Sequence, residues 1–308
     1  MAINTGNFAK LLYPGLNTIY GHKYNEYLRE CDQIFETRSS RRAYEEDQGI
    51  TGFGLAAVKT EGNALVYDSE QQGFLTRYNH LVYALGFIIT EEMIDDDLYD
   101  VVGQRRTEGL AYSMRQTEET VAANVLNRAF NPAHVGGDQA TLIASAGGGG
   151  SLAHNNVSGG TWTNGPVTAA DLSEAALEQA VIDIADFKDD RGKKIQVMAK
   201  QLIVPKDLQF EAERILESRL RIGTADNDIN ALYTMGAIPK VIVNHYLTDA
   251  DAWFIQTDTP NGLIKYSRKG NEFNMDNDFD TSNAKFKATA RYSFGWTDPR
   301  CLFGSPGA

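Results

Sequence analysis

The side chains best able to do chemistry in this sequence are an acidic run, five histidines and a glycine-rich stretch, and each falls short of a reactive site. Asp276-Asn277-Asp278-Phe279-Asp280 reproduces the first three oxygen ligands of a calcium loop, at alternate positions. The loop then needs glycine followed, at its twelfth position, by a bidentate glutamate, and those places hold Thr281 and Lys287. An exposed acidic turn is what remains. His22, His80, His134, His154 and His245 never fall at metal-ligand spacing, and no His-Glu-x-x-His is present. Gly147 to Gly150 and Gly159-Gly160 lack the Gly-Lys-Ser/Thr that would make a phosphate cradle, and no Gly-x-Ser-x-Gly elbow marks a nucleophile. Asn156-Val-Ser158 fits a glycosylation pattern by letters alone. The expectation is no catalytic residue, no cofactor and no metal.

The elements that would carry such groups are dominated by one stretch. Thr90 to Asn131 runs without proline, and an N-cap at Thr90 with Glu91, Glu92, Asp95, Asp96 and Asp97 behind it suits a helix N-terminus. Ile94, Leu98, Val101, Val102, Leu110, Met114, Val121 and Val125 recur mostly at helical steps, and Asn131-Pro132 supplies a stop. A single helix there would be about 60 Å long, more than a compact domain needs. Gly103 and Gly109 inside it each cost about 1 kcal/mol against alanine, which predicts a bend or a close contact; two helices broken near Gly103 are the alternative.

Ahead of it, residues 1–49 read as an arm, with a turn at Tyr13-Pro14-Gly15, a short helical segment from Tyr24 to Phe35, and a charged patch of Arg38, Arg41 and Arg42 before Glu45, Glu46 and Asp47. Such alternation favours a solvated or subunit-contacting surface over a nucleic-acid site. Leu55–Val58 and Ala64–Tyr67 flank Glu61-Gly62-Asn63, predicting a long hairpin with Lys59, Thr60, Glu61, Gly62 and Asn63 at its tip, and Leu81 to Ile89 alternates as a strand. Few local apolar residues are available to bury that hairpin, so it is expected to lie on a neighbouring subunit. Residues 133–167 form a long glycine-rich loop. From Thr168 an α/β unit follows: a helix opened by Asp171-Leu-Ser-Glu174, a strand from Ile195 to Val204, a helix to about Arg221, and strands at Val241–Val243 and Trp253–Ile255. Strands at Leu263–Tyr266 and Lys285–Tyr292 and a terminal Gly-Ser-Pro-Gly-Ala coil complete the chain.

Composition narrows the possible functions. The 308 residues are 42% hydrophobic and 23% charged, enough for a sizeable core and too apolar for wholesale disorder. A net charge of -12 argues against wrapping nucleic acid through clustered cations, though not against weak local contact. No apolar run reaches membrane-span length, and Met1-Ala-Ile-Asn-Thr-Gly6 has no signal-peptide character. Cys31 and Cys301, far apart, are expected to be reduced.

The order of parts, arm, hairpin, long helix, α/β unit and returning strands, resembles the major capsid proteins of tailed bacteriophages, the Hong Kong 97-type fold, and more narrowly the Mu-like major head subunits. Phe187-Lys-Asp-Asp-Arg-Gly192, Leu202-Ile-Val-Pro205, Ala212-Glu-Arg-Ile-Leu216, Ala225-Asp-Asn-Asp-Ile-Asn230, Asp276-Asn-Asp-Phe-Asp280 and Arg291-Tyr-Ser-Phe-Gly-Trp-Thr-Asp-Pro299 carry the resemblance. It implies an α+β subunit with an N-terminal arm (1–49), an extended loop (50–89), a peripheral domain with a spine helix (90–167, completed by 263–308) and an axial domain (168–262). The implied function is self-assembly into the hexamers and pentamers of an icosahedral head around double-stranded DNA. The implied partners are further copies, a separate scaffolding protein, a portal at one vertex and a decoration or cement protein, with assembly in the bacterial host cytoplasm and no membrane. Some relatives crosslink a hairpin lysine to a neighbour; Lys59 is the one lysine of this type here, and without a catalytic acid to assign, no crosslink is expected. The competing readings are a metal-dependent or hydrolytic enzyme with a site under the glycine-rich loop, and a minor decoration or tail component.

Overall fold

A computed structural model describes residues 9–90, 92–93, 99–221, 228–278 and 283–308. The chain opens with helices α1 (Ala9–Glu26) and α2 (Cys31–Ile34), then strands β1 (Glu36–Ser39) and β2 (Tyr44–Ile50). Strands β3 (Gln72–Asn79) and β4 (Leu81–Ile89) precede the long helix α3 (Tyr99–Asn127). Two-residue strands β5 (His154–Asn155) and β6 (Thr161–Trp162) lead to α4 (Glu174–Ala185), β7 (Ala199–Pro205), α5 (Gln209–Glu217), α6 (Ala231–Met235), β8 (Val241–Asn244) and β9 (Trp253–Thr257). The last elements are β10 (Leu263–Asn277), β11 (Ala284–Trp296) and β12 (Leu302–Ser305).

Two four-stranded sheets organise these parts, one in the order β1-β10-β11-β4 and the other β12-β9-β7-β8. In the first, β11 alternates as its sequence demands. Ala284, Phe286, Ala288, Ala290 and Tyr292 are buried, with Lys285 and Lys287 exposed between them. That face packs on α3 through Leu110, Ala111 and Met114 and on α1 through Leu16 and Tyr20. The second sheet is a buried slab whose strands read Leu202-Ile-Val and Trp253-Phe-Ile. Leu177, Ala180 and Ile184 of α4 and Ala212, Ile215 and Leu216 of α5 pack against it.

Several sequence expectations shift. Tyr13-Pro14-Gly15 lies within α1 and not in a turn, and the segment expected to be helical from Tyr24 to Phe35 is divided between the end of α1 and α2. The long helix is described over Tyr99–Asn127. Glu92 and Met93 are helical, Ile94–Leu98 lie outside the described residues, and the backbone stays helical through both Gly103 and Gly109, so the break near Gly103 is not present. Its C-terminal end tightens into turns through Ala129 N–H to Leu126 O (2.9 Å), before the Asn131-Pro132 stop. Helix α4 is capped by Ser173, whose side chain accepts from Ala176 N–H, and not by Asp171, which instead accepts from Ala308 N–H at 2.8 Å. Leu55–Val58 and Ala64–Tyr67 do not form strands; the ladder of the hairpin lies nearer its root. The end of the chain is not all coil, because Leu302–Ser305 pairs with β9. In the acidic run Asp276 belongs to β10, and Phe279–Thr281 lie outside the described residues.

The glycine-rich stretch is packed, because its polar side chains replace a ladder. Asn164 accepts from Ala144 N–H (2.8 Å) and donates to Leu142 O (2.8 Å) and Leu302 O (2.9 Å), tying loop to sheet. His154 Nδ1 meets Asp138 at 2.6 Å, and its ring stacks on Trp162.

Where α1, α2, α3 and β10 converge, charge is buried. Lys265 Nζ lies 2.6 Å from Glu118 and 3.2 Å from Asp32. Arg115 reaches the same Glu118 at 3.0 Å and Tyr24 O at 2.8 Å, while Tyr24 OH donates to Glu118 at 2.6 Å. Burial pushes the Glu118 carboxyl up, but Lys265, Tyr24 and Arg115 together outweigh it and hold the group below its ordinary value. Breaking such a pair costs about 3–5 kcal/mol because the abandoned charge stays buried. Lys265→Met should therefore destabilise the subunit by about 3 kcal/mol in denaturant unfolding.

Glu119, one residue on, differs. It accepts from Cys31 N–H at 2.9 Å, its other oxygen is buried without a hydrogen bond, and burial pushes its carboxyl above the ordinary value. A raised folded value contributes stability below the unfolded value of about 4.3 that is lost as pH rises through the folded one. Glu119→Gln should thus raise stability at neutral pH, with the gain vanishing below about pH 4, as thermal unfolding at both pH values would show.

Candidate functional site

Among the apolar surfaces left over by this packing, the longest projecting segment is the hairpin. Its ladder runs from Tyr44↔Asn79 to Ile50↔Gln72, with a register shift between Gln48 and Ile50. There a Cβ on Gly73 would stand 2.6 Å from Gly49 O, so the close approach requires glycine. Thr51 N–H to Gln71 O (3.0 Å) and Gln71 N–H to the Thr51 hydroxyl (2.8 Å) close the ladder. Beyond them residues 52–71 carry no strand pairing and turn back at Thr60–Asn63, where Asn63 N–H reaches Thr60 O at 3.2 Å and Gly62 takes φ 83°.

The projecting segment is tethered at its base. Arg191 forks onto Asp68, at 2.5 and 3.0 Å, and donates to Gly52 O at 3.1 Å. Asp68 also accepts from Gly54 N–H at 2.6 Å, and Lys193 Nζ bonds Phe53 O. The Arg191 guanidinium, then the backbone N–H groups, hold the Asp68 carboxyl well below the usual range. Arg191 and Lys193 belong to the tight turn Asp189–Lys193, whose backbone is fixed by Asp189 accepting from both Arg191 and Lys193 N–H at 2.9 Å. The α/β unit therefore aims the hairpin. Past the tether nothing among the described residues covers it: Val58 is 94% exposed and Tyr67 93%, with Leu55, Leu65 and Val66 also open.

The expected contact residues separate into two groups. Lys59, Thr60, Glu61, Gly62 and Asn63 are all exposed at the tip, as their turn chemistry suggests. Arg41 and Arg42 are exposed between β1 and β2, Arg42 standing 3.9 Å from Glu45. Arg38 is engaged within the subunit, by Glu36 at 3.0 Å, Asn261 at 2.8 Å and Asp47 at 3.6 Å. Gly103 is buried and Gly109 exposed on α3. Sequence reading missed Asp68, Arg191 and Lys193. The turn signal Asp189-Asp-Arg-Gly192 is visible in the sequence, but its charge partner is more than a hundred positions away.

The cleft between α3, β4 and β11, about 550 Å³, is lined by Leu81, Tyr83, Val125, Arg128, His134 and Trp296 among others and by no carboxylate. Among the described residues no three His, Cys, Asp or Glu converge to hold a metal ion, and no helix is long and apolar enough to cross a membrane.

A spine helix laid on one sheet, a second α/β unit, and a tethered hairpin with uncovered apolar side chains together define a shell-building subunit of the Hong Kong 97 type. The phage capsid protein family model matches residues 76–304, and the chain belongs to that family. It is a major capsid protein of a phage head. No curated protein matches the sequence. Among solved structures, the capsid of an empty GTA particle shares 14% identity over 92% of each chain with a TM-score of 0.52. A structure of Mycobacterium phage Adephagia shares 11% over 100% of this chain and 99% of its own, with a TM-score of 0.50. A virus-like particle from Pyrococcus furiosus shares 12% over 96% and 99%, also with a TM-score of 0.50. At such identities the likeness speaks to the fold.

If the tether aims the hairpin, Asp68→Asn should speed proteolytic cleavage within residues 52–71 several-fold in the free subunit while leaving the melting temperature of the core unchanged.

Proposed function

We propose that the subunit acts by binding itself, forming hexamers and pentamers that close an icosahedral head around double-stranded DNA, with each hairpin lying across a neighbouring subunit. The observation that carries this reading is the hairpin itself: apolar residues held out on a fixed root, uncovered within their own subunit. Burying apolar area stabilises by about 25 cal/mol per Å², so covering such side chains favours association. Many modest contacts in one shell add through multivalency.

The other partners follow from the task of building a head: a separate scaffolding protein, a portal at one vertex, a decoration or cement protein, and DNA contacted weakly because the net charge of -12 opposes tight wrapping. Assembly takes place in the bacterial host cytoplasm. The role is structural and not enzymatic. Like subunits must occupy six-fold and five-fold positions, and flexing at Gly103 or Gly109, with tilt of the hairpin about its root, absorbs the difference.

The test is to express the chain alone and with its neighbouring head genes and measure particle mass by light scattering, with electron microscopy of the same fractions. Closed megadalton shells, or rings of five and six, are expected. Replacing Leu55, Val58 and Leu65 together by serine should abolish shells and leave the thermal unfolding of the free subunit unchanged. Shells that form as readily with these serines would refute the hairpin's role.

A further inference from the structure

Strand β4 is the outer strand of its sheet, paired with β11 on one side and with no strand of the described residues on the other. Natural edge strands are blunted by charges, proline, bulges or brevity, because an open row of N–H and C=O groups recruits another strand. The nine residues Leu81-Val-Tyr-Ala-Leu-Gly-Phe-Ile-Ile89 carry no charge and no proline, and their register with β11 is unbroken. Leu81, Val82, Leu85 and Ile88 are all at least 49% exposed. One cap is present, at the far end: Arg106 donates to Ile88 O at 2.9 Å. Among the described residues no strand pairs with the rest of the edge.

The sequence of the strand indicates what covers it. Read in either direction from Leu85 it has the same size pattern: Ala84 answers Gly86, Tyr83 answers Phe87, Val82 answers Ile88, and Leu81 answers Ile89. We propose that β4 pairs antiparallel with β4 of a second copy across a two-fold axis through Leu85, joining two four-stranded sheets into one. Isologous contacts require a surface complementary to itself, and here small residues meet small, rings meet rings, and no charge faces its like. A strand of nine residues spans about 30 Å, a contact well below the size of a stable dimer interface, so the pairing forms within the shell and not in dilute subunits. It rests on the shell reading above and names one of its interfaces.

Cysteine placement in assembled full-length particles tests the register. Residues facing each other across a strand pair approach to about 5 Å between Cβ atoms, so Leu85→Cys, which meets its own copy, should oxidise to a dimer on non-reducing gels. Val82→Cys alone should stay monomeric, and Val82→Cys with Ile88→Cys should regain the dimer. Cys31 and Cys301 are buried and give no background. Equal dimer yields from Leu85→Cys and Val82→Cys, or monomeric Leu85→Cys in intact shells, would overturn the edge pairing and leave the shell reading standing. If the cysteine variants do not assemble, a cryo-electron microscopy map of the unmodified shell gives the same answer. Paired β4 strands with Leu85 opposed support the inference, and any other chain along β4 refutes it. Failure of the unmodified chain to form shells with its head-gene partners counts against the shell reading, and the pairing falls with it.

Discussion

The buried contact between Glu118 and Lys265 is the constraint on which the rest of the subunit depends. It joins the middle of the long helix to the first residues of β10, and Arg115, Tyr24 and Asp32 complete it from α3, α1 and the α2 turn. Buried charges are tolerated only where each finds partners of opposite sign and hydrogen bonds as well. That demand fixes the rotation of α3 about its axis and the seating of the N-terminal helices on it. An apolar contact of equal area would permit sliding.

From that junction outward, the molecule divides into a part that satisfies itself and a part that does not. Asn164 and His154 find partners inside even where the chain has little regular structure, in the glycine-rich stretch, while one Glu119 oxygen and the Ser145 hydroxyl stay buried without a hydrogen bond. Outside, apolar side chains of the hairpin and of β4 are left open beside the β2–β3 and β4–β11 ladders. In the proposed shell these uncovered segments are where copies meet, and many modest contacts add together.

The tether between Asp68 and Arg191 links the two parts. Two exposed charges contribute little to stability, so their role is geometric. The fork of Arg191 and the backbone N–H of Gly54 fix where the hairpin leaves the body, and the tip beyond is exposed. In the proposed shell such a root sets the direction in which each hairpin reaches its neighbour.

Periodicity and turn chemistry determined much of this from the sequence alone. The alternation of Leu81–Ile89 and of Lys285–Tyr292, the helical spacing of Leu110 and Met114, and the glycine at the hairpin tip each reflect local rules that hold wherever the chain goes. The order of parts likewise pointed to the capsid family. Tertiary structure alone decided the rest. Tyr13-Pro14-Gly15 became helical despite its turn composition. Leu55–Val58 and Ala64–Tyr67 carry strand-forming residues but find no ladder within the subunit, and the last residues gain strand structure only because β9 offers an edge. Arg38 was expected on a solvated or subunit-contacting surface, but Glu36, Asn261 and Asp47 engage it within the subunit, and Arg191 and Asp68 meet only across the fold. Local pattern fixes which groups a segment exposes on each face; only the fold brings together groups far apart in sequence, and pairing, burial and anchoring are properties of those meetings.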